Sequence, residues 1–200
     1  RSYMYCDSAY FYDQTNSLEA FSNVRMEQGD TLFVYGNYLH YDGNTQMARL
    51  RENVRMENRP DSVTLFTDSL NYDRVANIGY YFNGGLIVDM ENELSSFYGQ
   101  YAPSTKMTVF NDSVRLVNPK FTLYSDTLQY NTESKIATIL GPSTIVSDSG
   151  TVYTSRGWYN TVENTSLLLD RSKVVSGSKI LIGDSISYNR GMSYGEAFGN

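Results

Sequence analysis

Cysteine and histidine each occur once in this 200-residue chain, as Cys6 and His40, and alanine, the best helix former, only seven times. A single cysteine excludes an internal disulfide and any multi-cysteine zinc site. Scarce alanine beside plentiful Tyr, Val, Ile, Thr and Phe points to strands. Basic runs are also missing. The 16 Lys and Arg against 22 Asp and Glu leave a net charge of −6, which argues against duplex nucleic acid as a partner because phosphate binding needs a concentrated basic patch. No apolar run approaches the ~20 residues of a membrane-spanning helix. No leader peptide is visible either, although Arg1 need not be the natural first residue and export stays open. The apolar share of 40% includes 18 tyrosines. Setting those aside and counting glycine leaves less than the ~45–50% of a compact globular protein, which suits a thin, extended body.

What the chain does have is a period. Tyr12-Asp13, Tyr41-Asp42, Tyr72-Asp73, Tyr130-Asn131, Tyr159-Asn160 and Tyr188-Asn189 are each tyrosine followed by Asp or Asn, at separations of 29, 31, 58, 29 and 29. The value of 58 reads as two periods, with the skipped copy placed at Pro103-Ser104. Two residues before the tyrosine stand Tyr10, Leu39, Leu70, Tyr101, Leu128, Gly157 and Ile186. Five before it come mostly small residues, Gly36, Thr67, Ser125, Thr154 and Gly183. Another small residue follows several copies at Ala48, Gly79, Ala137, Ser166 and Gly195. A later stretch reads Asn23-Val24-Arg25-Met26, Asn53-Val54-Arg55-Met56 and Ser113-Val114-Arg115-Leu116, with looser echoes at Ile145-Val146 and Val174-Val175. The pattern predicts an all-β fold, a stacked antiparallel repeat of about seven ~29-residue copies.

Each copy resolves into strands. Side chains alternate across a strand, so Leu70 and Tyr72 share one face, as do Leu128 and Tyr130, and Ile186 and Tyr188. Asn71, Gln129 and Ser187 then face water. The Asp or Asn after each tyrosine opens a turn, as in Asp42-Gly43-Asn44-Thr45. Val34 and Leu39, Leu65 and Leu70, and Leu123 and Leu128 are five apart, which places each pair on opposite faces of a straight strand. A bend or bulge at Gly36, Thr67 or Ser125 returns both to one interior. No linker interrupts residues 1–200, which read as one continuous domain. Neither end carries a polar capping repeat, so the chain reads as a fragment of something longer. Its first and last segments, Tyr3-Met4-Tyr5 and Tyr194 to Phe198, are apolar or aromatic, and they predict head-to-tail stacking through exposed strand edges.

Candidate chemistry is thin. Cys6 and His40 form a conceivable nucleophile pair, but an outward histidine and an isolated thiol account for them better. Asp68, Asp126 and Asp184, with Asn37 in the same column, could form a ladder of oxygen ligands for calcium. Corner residues bonding their own backbone explain the column better, and Ser8, Gly99 and Ser155 interrupt it. Arg25, Arg55 and Arg115 alternate with apolar residues and should point outward, as solvated positions or, on the sharper reading, toward an anionic ligand. A tyrosine column at structural spacing is core before it is a sugar or base platform. No cofactor and no metal site is expected. An enzyme on a β-solenoid would gather acids and aromatics into one or two copies, whereas here they are spread evenly.

These residues together resemble the OstA-like family, the bridge proteins that carry lipopolysaccharide across the periplasm of Gram-negative bacteria. The resemblance is clearest over residues 36–56, 67–79, 125–137 and 183–195. It implies an open, twisted β-jelly roll that shelters acyl chains while the sugar head stays outside, stacking of protomers or domains into a bridge, and no catalytic residues. It implies a periplasmic protein associated with the outer membrane, with lipopolysaccharide or a related acylated lipid as its cargo. The lipid-facing positions are then Leu39, Tyr41, Val54, Met56, Leu70, Tyr72, Ile78, Val114, Leu116, Leu128, Tyr130, Ile136, Ile186 and Tyr188. The alternative is a structural or adhesive β-repeat whose interior is packed shut. The loss of the tyrosine near Pro103 is a departure from the pattern.

Overall fold

The computed structural model describes residues 2–189, 192 and 194–199. Apart from one 3-10 turn at Asp13–Thr15, regular structure among them is all strand. In chain order the strands are β1 (Ser2–Tyr5), β2 (Ser8–Tyr12), β3 (Ser17–Gln28), β4 (Leu32–Asp42), β5 (Met47–Asn58), β6 (Val63–Asp73), β7 (Ile78–Tyr81), β8 (Gly85–Asp89), β9 (Asn92–Ser96) and β10 (Tyr98–Ala102). They continue as β11 (Met107–Asn118), β12 (Phe121–Asn131), β13 (Ile136–Ile139), β14 (Ser143–Ser147), β15 (Gly150–Thr154), β16 (Arg156–Asn160), β17 (Thr165–Ser176), β18 (Lys179–Asn189) and β19 (Tyr194–Phe198). The fold is all-β, built of antiparallel pairs. It comprises two compact units: Arg1–Met90 with Phe97–Lys106, and Glu91–Ser96 with Met107–Asn200.

Within each unit the sheet folds into two layers, and the fold line has a specific cause. Between β3 and β4 the register runs from Phe21 opposite Tyr38 to Val24 opposite Gly36, so Ser22 and Asn23 face the single residue Asn37. The same two-against-one bulge sets Glu52-Asn53 against Asp68, Asp112-Ser113 against Asp126, and Asp170-Arg171 against Asp184. All eight residues of these four pairs have positive φ, between 51° and 64°. A left-handed pair reverses the pleat of a long strand without ending it, and Asn, Asp and Ser tolerate that conformation better than branched residues. The bends therefore lie beside Gly36, Thr67 and Ser125, but the extra residues sit on the partner strands. Asn of the Asn-Val-Arg-Met stretch is the second left-handed residue of each such pair in β3 and β5.

Small hydroxylated residues at the corners supply the hydrogen bonds that the broken ladder leaves open. Ser125 Oγ donates to the Thr127 carbonyl at 2.9 Å and accepts from Ser143 Oγ at 2.8 Å. Thr154 Oγ1 donates to the Arg156 carbonyl at 3.0 Å and accepts from Ser172 at 2.8 Å. Thr67 donates to the Gly84 carbonyl at 2.8 Å. Asp68 accepts from the backbone N–H of Asn53 at 3.2 Å, so this member of the acidic column serves the corner by bonding the bulge of the neighbouring strand and not its own backbone.

With the corners in place, residues five apart meet in one interior. Val34 and Leu39, Leu65 and Leu70, and Leu123 and Leu128 are all at most 2% exposed. Asn71, Gln129 and Ser187 remain half-buried on the outer face. Leu128→Asp should therefore lower stability by about 3–5 kcal/mol, because it leaves a carboxylate buried and unpaired. Gln129→Asp should cost less than about 0.5 kcal/mol, as outward substitutions do. Urea denaturation of both variants is the check, and equal losses would mean that the face assignment is wrong.

Candidate functional site

Cross-strand rows in the layer that carries the tyrosines explain the sequence columns. In the first unit Leu18, Tyr41, Ala48, Tyr72, Gly79 and Tyr101 stand opposite one another on successive strands. In the second unit the row is Thr108, Tyr130, Ala137, Tyr159, Ser166, Tyr188 and Gly195. Most of these tyrosines have only small residues opposite them on neighbouring strands, which leaves room for the ring against the sheet; Tyr41 instead stands between Leu18 and Ala48. The row also corrects the reading at Pro103. The tyrosine of that copy is Tyr101, directly opposite Gly79 and 1% exposed. From Tyr72 to Tyr188 the period is then a constant 29 residues. The search was anchored on Tyr followed by Asp or Asn, and Ala102 breaks that dipeptide without breaking the row.

The phenol ends of these rings reach amide side chains. The Tyr72 hydroxyl lies 2.9 Å from Gln28 Oε1 and 2.5 Å from Asn77 Oδ1, and its single proton is donated to one of the two. Asn58 Nδ2 donates to the Tyr101 hydroxyl at 2.8 Å, and Asn92 Nδ2 to that of Tyr130 at 3.0 Å. Tyr159 donates to Asn164 at 3.2 Å, and Arg74 donates to Tyr41 at 3.1 Å. Gln28 and Asn58 end strands of the opposing layer and Asn92 begins one, so the hydroxyls of Tyr72, Tyr101 and Tyr130 tie the two layers together at the side opposite the corner.

Of the fourteen positions expected to face lipid, ten are fully or almost fully buried. Leu39, Leu70, Leu116, Leu128 and Tyr130 are 0% exposed, and Val54, Met56, Tyr72, Val114 and Ile186 at most 3%. Tyr41, Ile78 and Ile136 are half-buried, and Tyr188 is exposed. The inward positions thus gather into the packed space between layers.

An accessible apolar cavity of about 340 Å³ opens further along, in the second unit. Phe121, Ile145, Val152, Tyr159, Leu168, Val174, Leu181, Ile186 and Tyr188 form its walls, with Ser147, Ser149 and Ser176 among its polar lining residues. No charged residue lines it. Only Ile186 and Tyr188 were among the expected positions. The missed residues were legible in part: Tyr159 stands in the tyrosine column, and Ile145 and Val174 open the looser echoes of the Val-Arg-Met strand. Among the described residues, no cluster of three or more His, Cys, Asp or Glu is placed to hold a metal ion. His40 lies outward on β4 beside Arg49, 3.3 Å from its guanidinium, and Cys6 lies half-buried between β1 and β2.

A family model described as OstA-like protein matches residues 1–126. The chain belongs to the OstA-like family. The match covers the first unit and the opening strands of the second, while most of the cavity lies beyond it. Among solved structures, LptH of Pseudomonas aeruginosa is described as the LptA-homologous periplasmic component of the conserved lipopolysaccharide transport device. It is 14% identical, covering 68% of this chain and 80% of its own, with a TM-score of 0.30. No curated protein matches the chain. No helix among the described residues is long and apolar enough to cross a membrane.

The buried phenols have an electrostatic consequence. Burial pushes the Tyr72 hydroxyl up to about 12, against a partial pull downward from Arg74 and with a smaller push from Asp73. Between the ordinary tyrosine value of ~10 and that value, the folded chain holds a proton that the unfolded chain has lost, so stability falls as pH rises. Below pH ~10 the contribution is complete. Urea midpoints measured across that window should fall for the native protein and fall less steeply for Tyr72→Phe.

Proposed function

We propose that this OstA-like protein is a non-enzymatic carrier that shelters the acyl chains of lipopolysaccharide, or of a related acylated lipid, on their way across the periplasm to the outer membrane. The observation that carries this reading is the uncharged apolar cavity between the layers of the second unit. Each methylene buried there is worth ~0.8 kcal/mol, so an acyl chain binds without any charged anchor. Family membership supports the same reading, because the resemblance to OstA-like proteins implies lipopolysaccharide transport. In this proposal residues 1–200 serve as one carrier domain.

A second reading has its own observation. The complete burial of Leu39, Leu50, Leu70, Leu116 and Leu128 suits a structural or adhesive repeat with a closed interior. Lipid loading separates the two. Protein recovered from its native envelope should carry acylated lipid detectable by native mass spectrometry. Leu181→Asp should remove most of it, because Leu181 lines the cavity while 45% exposed and tolerates a carboxylate in the fold. Ile180→Asp, one residue away on the alternate face, should leave it in place. No lipid in the native protein, or equal loading in both variants, would favour the closed interior.

The carrier works as a bridge if copies stack. β2 and β19 are exposed along their whole length, each pairs within its unit with one long strand, and both carry large apolar side chains, among them Phe11 at 62% and Phe198 at 58% exposure. Unpaired edges of this kind recruit further strands, and two different edges joined head to tail build a non-closing array. Mass measured by light scattering should grow beyond a dimer with concentration, and Phe198→Pro should suppress that growth by removing an edge donor. A strict monomer at high concentration, unchanged by the proline, would rule out stacking through this edge.

A further inference from the structure

The outer face of the second unit carries a feature that acyl-chain binding does not use. Arg115, Tyr124, Thr144, Tyr153 and Lys173 stand directly opposite one another on five neighbouring strands, β11, β12, β14, β15 and β17. At ~4.8 Å between strands the row is ~19 Å long, and the two tyrosines are ~10 Å apart. Both rings are open to solvent, Tyr124 at 47% and Tyr153 at 46%. They form the floor of a surface groove of about 730 Å³, whose corner edge is lined by Asp126, Ser155 and Asp170.

We propose that this groove binds an anionic oligosaccharide. Two exposed aromatic faces at that separation provide stacking platforms for two pyranose rings of one chain. Carboxylates along one edge accept hydrogen bonds from sugar hydroxyls. Cations at both ends of the row meet the negative substituents. Arg115 and Lys173 have no ion-pair partner among the described residues, and Lys173 Nζ lies 5.8 Å from the Tyr153 ring centroid.

A comparison within the chain separates this from ordinary sheet decoration. The first unit repeats the row as Tyr5, Arg25, Tyr35, Arg55 and Phe66, beside a groove of about 570 Å³. There Arg25 and Arg55 stack on Tyr5 and Tyr35 at 4.8 and 4.4 Å, and each pairs with a glutamate, Glu27 or Glu57. Those cations are already neutralised, as cross-strand stabilisers should be. The cations of the second unit are not, so that unit is assigned the anionic ligand. Lipid-linked and free sugars present the same chemistry to the groove, and the site does not depend on the acyl-chain proposal.

The test is titration of the 200-residue chain, followed by tyrosine fluorescence and calorimetry, with three lipid-free probes. These are a de-acylated phosphorylated core oligosaccharide, an oligogalacturonate hexamer and neutral maltohexaose. Binding of either anionic probe, and weaker binding of maltohexaose, is expected. Binding of the core oligosaccharide alone points to a lipid-linked source, and binding of both acidic probes to a general acidic glycan site. Tyr124→Ala with Tyr153→Ala should weaken binding at least about tenfold, and Tyr124→Trp with Tyr153→Trp should restore it. The same alanine pair at Tyr35 and Phe66 should have no effect. No binding of either acidic probe, or binding unchanged by the Tyr124 and Tyr153 variants, overturns the assignment. Because no probe carries an acyl chain, failure here leaves lipid loading at the Leu181 cavity untouched.

Discussion

The structure depends on one backbone constraint: a long strand must change direction in mid-course without losing its partners. Antiparallel ladders hold a strand straight, because every residue within them is committed to a pleat and a hydrogen bond. Two consecutive left-handed residues against one extended residue break that commitment for about one step and then restore it. The cost is left-handed backbone at Ser22-Asn23, Glu52-Asn53, Asp112-Ser113 and Asp170-Arg171. Only four of these eight positions are Asn, Asp or Gly-like in tolerance, so the strain is real and must be offset by what the bend allows. What it allows is an enclosed interior from a single sheet, with leucines five residues apart meeting across the layers. The hydroxyl bonds of Ser125, Ser143, Thr154 and Ser172 keep the corner's polar backbone satisfied, which an aliphatic corner would not.

The interior that results is filled in an unusual currency. Tyrosine supplies much of the apolar area, and a tyrosine can be buried only if its hydroxyl finds a partner. The row geometry meets both demands for most of the rings, with small residues beside the ring and a side-chain amide at the phenol end of Tyr72, Tyr101, Tyr130 and Tyr159. That makes the tyrosine column a clasp as well as a core, and it explains how a chain short of aliphatic residues still encloses a packed space. Tyr188 is the member of the second row that lies exposed, and it lines the cavity together with Tyr159.

Period, face alternation and the bends were legible because each is a local rule repeated. A two-residue alternation puts Leu128 inward and Gln129 outward wherever the strand runs, and repetition makes the alternation visible. The extra residue of each bulge was harder to place. A phase change between Leu123 and Leu128 shows that a bend exists, but a bulge belongs to a pair of strands, and one strand's sequence does not say which partner carries the surplus. Tyr101 was hidden for a different reason: its neighbour Ala102 lacks the turn-forming amide or carboxylate, although burial depends on the ring and not on the following residue. The cavity was the least legible feature. Volume is set by the distance between layers, and Leu39 inside a packed core and Leu181 beside a void look alike in sequence.

Period-2 alternation also separates charge from the interior. Every second residue of a strand is outward, so acids and bases can accumulate on the outer faces without entering the space between layers. This is why a chain of net charge −6 can be weighed as a carrier of an anionic lipid. Outer charges more than a Debye length away, ~8 Å at physiological ionic strength, are largely screened. Each methylene entering an uncharged cavity still gains its ~0.8 kcal/mol, whatever the sign of the distant surface. Two or three buried methylenes therefore outweigh a surface ion pair worth ~0–1 kcal/mol. The energetically decisive face is the inner one, and the outer face is left free to recognise the polar part of a ligand by local chemistry, as at Tyr124 and Tyr153, instead of by the sign of the whole molecule.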